Sequence, residues 1–198
     1  PKHRPVGPED DLLTRYHAVV DRRATLVRAI VSLVLGLIAG VGMSSEWNQW
    51  ILFRNGGSFG VEDQTFQTDV GFYVFKLPFY ITIVNWLFAS GVIILLATIV
   101  AHYLNGGIRL RRGSAPDVGS GVKVHISVLL AVLALIRAVG YRLDAWELVT
   151  SDRGFTGAGL TGAGYTDVTS RLPALNLLAL ISVAAAVLLV INIWRRGW

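Results

Sequence analysis

No cysteine occurs among the 198 residues. That excludes disulfides, thiolate metal sites and cysteine nucleophiles, and leaves the redox compartment open. Charge is also scarce: 16% of residues are Asp, Glu, Lys or Arg, against roughly 25% in soluble domains. The four histidines, His3, His17, His102 and His125, have no partner at metal-ligand spacing. There is no phosphate-binding loop and no serine in a nucleophile elbow. The net charge is +5, but no five like charges run together. The basic residues flank apolar stretches instead, so a nucleic-acid partner is not expected. Neither a catalytic group nor a cofactor or metal site is expected.

What the chain has is long apolar sequence. Apolar residues make up 53% of it, and the mean hydropathy is +0.55. Four stretches stand out: 29–45, 77–101, 122–143 and 172–194. The second and fourth hold 25 and 23 residues without one charged side chain. A helix needs about 20 apolar residues to cross a hydrocarbon layer roughly 30 Å thick. The expected fold is therefore all-α, a polytopic transmembrane helical bundle of four spans with interfacial amphipathic helices and membrane lipid as its solvent. Residues 1–28 read as a cytoplasmic arm and amphipathic helix, and 29–198 as the bundle, with outer connections at 46–76 and 144–171.

Orientation follows from Lys and Arg near the span ends. The N-terminal segment, the second connection and the C-terminus hold twelve, while the first and third connections hold five. Both ends are expected in the cytoplasm. The start at Pro1 without Met and the stop after Arg195-Arg196 read as a fragment of a longer protein.

Several local patterns carry expectations. Leu12, Leu13, Tyr16, Val19, Val20, Ala24 and Val27 recur at helical spacing between charges, as in a helix lying on a membrane surface or in a soluble extension of the first span. Ser32, Gly36, Gly40 and Ser44 place a small residue at every fourth position, a face on which another helix can pack closely. Trp47 to Phe53 reads as a short interfacial helix ending at Asn55-Gly-Gly, and Gln64–Phe75 as a second one leading into Leu77-Pro78. Trp47, Trp50 and Tyr73 suit the headgroup level. Arg137 and Asp144 lie seven apart on one helical face, with Tyr141 between them, and are expected to form an intramembrane polar pair. The doubled Thr-Gly-Ala-Gly unit at 156–164 matches a dinucleotide-binding pattern only formally, since no strand precedes it.

Four segments taken in order resemble a known family. They are Asp69-Val-Gly-Phe-Tyr-Val-Phe-Lys-Leu-Pro-Phe79, His102-Tyr-Leu-Asn-Gly-Gly-Ile-Arg-Leu110, Gly140-Tyr-Arg-Leu-Asp-Ala-Trp-Glu-Leu148 with Ser151-Asp-Arg-Gly154, and Gly162-Ala-Gly-Tyr-Thr-Asp-Val168 before Leu172-Pro-Ala174. The sequence resembles the bacterial integral membrane proteins of uncharacterised protein family 0182. Gln64, where similar sequences tend to have Pro, and the doubled glycine unit depart from that pattern. The resemblance implies seven spans and a large extracytoplasmic part, with this chain holding the third to sixth spans in a bacterial plasma membrane. It implies no activity and no catalytic residues.

The expected function is a non-enzymatic module that anchors or scaffolds an envelope complex, with protein partners or a homo-oligomer in the membrane. A transporter or lipid-handling conduit would use His125, Arg137, Asn85, Asn176 and Asn192. An enzyme at the outer face would need Asp144, Glu147, Asp152 and Asp167 to converge with Arg142 and Arg153.

Overall fold

The computed structural model describes residues 24–109, 117–150 and 162–195. The N-terminal arm with most of its amphipathic helix, Asp152, Arg153 and the glycine unit up to Thr161 lie outside the described residues. The chain is all-α, with helices α1 (Ala24–Ser44), α2 (Trp47–Asn55), α3 (Leu77–Leu104), α4 (Ser120–Glu147) and α5 (Leu172–Arg195). One two-residue antiparallel ladder pairs Ile108 with Val118 and Arg109 with Asp117 between α3 and α4.

Among the described residues, four continuous helical stretches are long and apolar enough to cross a membrane: Thr25–Ser44, Phe72–Leu104, Ser120–Thr150 and Asp167–Arg195, of 20, 33, 31 and 29 residues. At 1.5 Å per residue they run about 30 to 50 Å. Three of them outrun their apolar segments, because a helix ends where its backbone is capped and not where hydropathy falls. At the end of α3 the cap is explicit. Gly106 takes φ +71, its N–H bonds Tyr103 O at 3.0 Å, and Gly107 N–H bonds His102 O at 2.8 Å. That pair of bonds around a left-handed glycine is a Schellman stop.

Helix α4 lies between α3 and α5. Along α5, with Ala185 and Asn192 half-covered beside it, a covered row runs through Leu172, Leu175, Ala179, Ser182, Ala186, Leu189 and Ile193. Their alternating intervals of three and four are those of a coiled-coil seam. On α4, Ser127, Ala131, Ala138 and Ala145 are buried. Small residues on both helices let the backbones approach, and α4 and α5 form the most extensive contact in the molecule. Against α3, a Cβ on Gly91 would lie 2.7 Å from Leu133 Cδ2, so Gly91 makes room for that leucine.

Helix α1 joins this group along one edge. Leu35, Ala39 and Met43 are half-covered, and Trp86 Nε1 donates to Ala39 O at 2.8 Å. Elsewhere α1 exposes Leu26, Ile30, Leu33, Leu37 and Ile38, a surface unsuited to water.

Helices α3 and α5 begin alike. Each follows a five-residue π-turn, Phe72–Lys76 and Asp167–Arg171, and each opens with Leu-Pro after a basic residue. Proline removes one helical N–H, and its ring crowds the carbonyl four residues back. The wide turn relieves the crowding: Leu77 N–H reaches Phe72 O, and Leu172 N–H reaches Asp167 O. A Thr-Asp-Val triplet stands near each entry, ahead of the first π-turn at Thr68–Val70 and overlapping the second at Thr166–Val168. What the two connections share is the π-turn followed by Leu-Pro.

The most deeply packed cluster sits at the end where these turns gather, here termed the cap end. Tyr73, Leu77 and Leu143 are buried there, with Phe72, Ile81, Val84, Trp146 and Val149 against them. The helix expected over Gln64–Phe75 is not what forms. Asp63 captures the N–H groups of Thr65, Phe66 and Thr68 at 2.7, 2.9 and 3.2 Å. Gln67 turns left-handed at φ +54, and helix begins only at Val70. A side-chain carboxylate has taken the amides that a helix would have used.

Candidate functional site

The cap end contains two ordered carboxylates. Asp69 accepts from Ser58 Oγ and from the N–H groups of Phe59, Gly60 and Gly71 at 3.1, 2.8 and 2.7 Å. These donors, the Ser58 hydroxyl first, hold its pKa at about 2. Asp63 accepts from Tyr73 Oη at 2.6 Å as well as from its three amides. Burial raises its pKa, but the Tyr73 hydroxyl and the Phe66, Thr65 and Thr68 amides together carry it below the usual value. Both groups are anions used as loop anchors. Neither has the raised pKa of a general acid.

Aromatic rings line the same end. Phe53 lies 4.6 Å from Phe79 and 5.5 Å from Tyr80, and Trp50 5.3 Å from Phe79. Phe72 meets Trp146 edge-on at 5.2 Å. Trp47 and Trp50 keep much of their surface exposed, whereas Tyr73 is buried. The structure thus separates the three expected interface aromatics: two present surface, and Tyr73 belongs to the packed cap.

Arg137 and Asp144 meet at 3.3 Å, each with about a third of its side chain exposed, 35% and 32%. The Arg137 guanidinium lies 4.3 Å from the Tyr141 ring centroid. A Cβ on Gly140 would come within 3.0 Å of Arg137 Nη1 and 3.6 Å of Val84 Cγ1, so this glycine admits both the guanidinium and α3. Arg142 donates to Asn176 Oδ1 at 2.7 Å, joining α4 to α5. Asp167 binds Arg171 at 3.2 Å and accepts Gly164 N–H at 3.1 Å. Asp144 and Asp167 are therefore held by separate partners, and among the described residues no three His, Asp or Glu gather.

Ser32, Gly36, Gly40 and Ser44 are all exposed, and nothing lies within 4 Å of a Cβ placed on Gly36 or Gly40. The edge of α1 that does pack, at Leu35, Ala39 and Met43, is the neighbouring one. At the opposite end of the bundle, His102 Nε2 and His125 Nδ1 lie 3.2 Å apart. Sequence reading gave these histidines no partner, because 23 residues and a helix reversal separate them. The only prior signal was their shared position at the ends of consecutive apolar stretches.

These features define a class: an all-α bundle with four helices of membrane-crossing length, an ordered aromatic cap and an open small-residue face. The chain belongs to the uncharacterised protein family UPF0182, which it matches over residues 1–198. It is 43% identical over 199 residues to a UPF0182 protein of Salinispora tropica, covering all of this chain and 20% of that protein. A UPF0182 protein of Frankia alni is 42% identical over 198 residues, with 19% of its length covered. One from Mycobacterium bovis is 42% identical over 179 residues, spanning 90% of this chain and 18% of the relative. The chain thus spans about one fifth of the length of the curated relatives it matches. No solved structure matches it.

Proposed function

We propose that this chain is a multi-pass membrane module that anchors and scaffolds an envelope protein, with the cap end outside and both chain ends in the cytoplasm. Helix α1 is its docking element. The supporting observation is the small-residue face of α1, open at Gly36 and Gly40 on a helix whose other exposed residues are mostly large and apolar. Helices in lipid gain little from burying apolar surface against one another, so close backbone approach at small residues is what favours pairing. The occupant is a spanning helix from elsewhere in the same full-length protein. Relatives are about five times longer than this chain, which leaves ample sequence to supply one.

A conduit is less well supported. Its polar groups would need to line one path, yet Arg137 engages Asp144 and Asn176 engages Arg142, while Asn85 is exposed on α3.

The test places Gly36→Leu and Gly40→Leu in the full-length protein, with Leu35→Gly as a control on the packed edge. Loss of assembly and lower thermal stability in the two leucine variants is the expected result. Unchanged assembly and stability would overturn the docking face. Cysteine pairs engineered on this face should crosslink within one polypeptide, and crosslinks solely between copies would replace the proposed occupant with a second molecule.

A further inference from the structure

The histidine pair at the end opposite the cap bears on a different property. His102 ends the last turns of α3, and His125 lies in the second turn of α4. Their nitrogens Nε2 and Nδ1 stand 3.2 Å apart, with ring centroids at 5.4 Å and planes at 87°. Two imidazole nitrogens bound to one tetrahedral metal, each at about 2.0–2.1 Å, lie about 3.3 Å from each other. The observed separation is that bite. A small rotation of both rings turns the shared hydrogen bond into two lone pairs converging on one point.

We propose that His102 and His125 form a two-histidine site for a borderline transition-metal ion of the Zn2+, Ni2+ or Cu2+ class, bridging α3 and α4. The backbone around the pair is fixed. The Schellman bond from Gly107 to His102 O sets the end of α3. Gly119 N–H bonds Gly107 O at 3.0 Å, and the N–H groups of Val122 and Lys123 bond Gly119 O at 3.0 and 3.1 Å. Together these link the start of α4 to the end of α3. Both rings reach solvent, so an ion can enter and water can complete its coordination. Among the described residues no third His, Asp or Glu joins them, which makes the site partly open. Nitrogen ligands without carboxylates, beside Lys123, disfavour the hard ions Mg2+ and Ca2+. The site is independent of the docking face on α1.

The test uses the full-length protein in detergent, titrated with ZnCl2 against a chromophoric chelator and separately with Co2+. One equivalent of Zn2+ should bind, and Co2+ should show the visible absorption of a nitrogen-ligated site. His102→Gln and His125→Gln should each weaken binding at least tenfold. The paired variant His3→Gln/His17→Gln should retain it. Zn2+ should raise the melting temperature of the unaltered protein and leave both single variants unmoved. If His102→Gln and His125→Gln bind Zn2+ as well as the unaltered protein, or if no equivalent binds at 100-fold molar excess, the proposal is overturned. Size-exclusion profiles matching the unaltered protein establish that the variants are folded.

Discussion

At the scale of single residues, the pair Arg137 and Asp144 shows how much of its environment a side chain can carry with it. Arg137 lies 13 residues before Thr150, the end of its 31-residue helical stretch. If that stretch is centred on a 30 Å slab, the Arg137 Cα sits roughly 11 Å inside the hydrocarbon boundary. A guanidinium at the middle of a spanning helix costs about 2.5–3.5 kcal/mol on insertion scales, and less toward its ends. Asp144 and the Tyr141 face offset that penalty together. With a third of each side chain exposed, the ion pair itself is worth only about 0.2–1 kcal/mol. The two deletions should therefore differ. Asp144→Ala strands a charge and is expected to destabilise by about 1–3 kcal/mol. Arg137→Leu removes the costly charge and should lie within about 1 kcal/mol of the unaltered protein. The double variant Arg137→Leu/Asp144→Ala should recover most of the loss. Unfolding in bicelles by denaturant checks this, and equal losses for the two single variants would contradict it. This pair was readable from the sequence because seven residues bring a helix back to the same face, a relation internal to one element. The His102 and His125 contact was not, since it depends on how α3 and α4 meet.

At the scale of elements, the loop between α2 and α3 shows which local interaction prevails. Aromatic residues across Gln64–Phe75 suggested an amphipathic helix, but Asp63 and Asp69 gather eight donor groups between them. Carboxylate to amide bonds are charge-assisted and stronger than the neutral bonds of one helical turn. Hydrophobic patterning cannot reveal that competition, because the winning groups are polar. Glycine is the loop's other requirement. A Cβ on Gly71 would lie 2.2 Å from Gly57 O, a backbone atom with no freedom to move aside. On Gly91 it would meet Leu133 Cδ2 at 2.7 Å, the tip of a side chain that has other rotamers. Gly71→Ala is accordingly expected to open the 56–71 loop and destabilise by about 1–3 kcal/mol. Gly91→Ala should cost less than about 1 kcal/mol once Leu133 turns, helped by the better helix propensity of alanine. Thermal melts in detergent rank the two, and amide exchange at Gly60 should rise in Gly71→Ala alone. The spans themselves were legible in outline because 17 or more apolar residues admit few other readings. Their true ends were not, since the Schellman stop at Gly106 and the π-turns before Pro78 and Pro173 are backbone events.

At the scale of the whole molecule, the distribution of charge is what supports the proposed threading. In the sequence, twelve Lys and Arg residues fall in the N-terminal segment, the second connection and the C-terminus, against five in the first and third connections. In the threading proposed above, positive charge is retained on the cytoplasmic side, with the ladder inside and the cap outside. On that proposal the aromatic rings of Trp47, Trp50, Tyr80 and Trp146 share one interface, where amphipathic rings are favoured. Because this chain has no cysteine, a thiol introduced into it is the only one within these 198 residues. Gly57 and Gly121 suit this purpose: a Cβ at either position meets nothing within 4 Å, so substitution leaves the packing intact. Gly57 belongs to the cap loop, and Gly121 opens α4 beside the ladder. In intact cells a membrane-impermeant maleimide should label Gly57→Cys and spare Gly121→Cys, and permeabilising the cells should render the second reactive. The reverse pattern would invert the bundle and move the histidine pair to the outer surface. Its metal would then come from the surroundings of the cell and not from the cytoplasm. Labelling of both positions in intact cells would mean that α3 and α4 do not cross the bilayer as a pair.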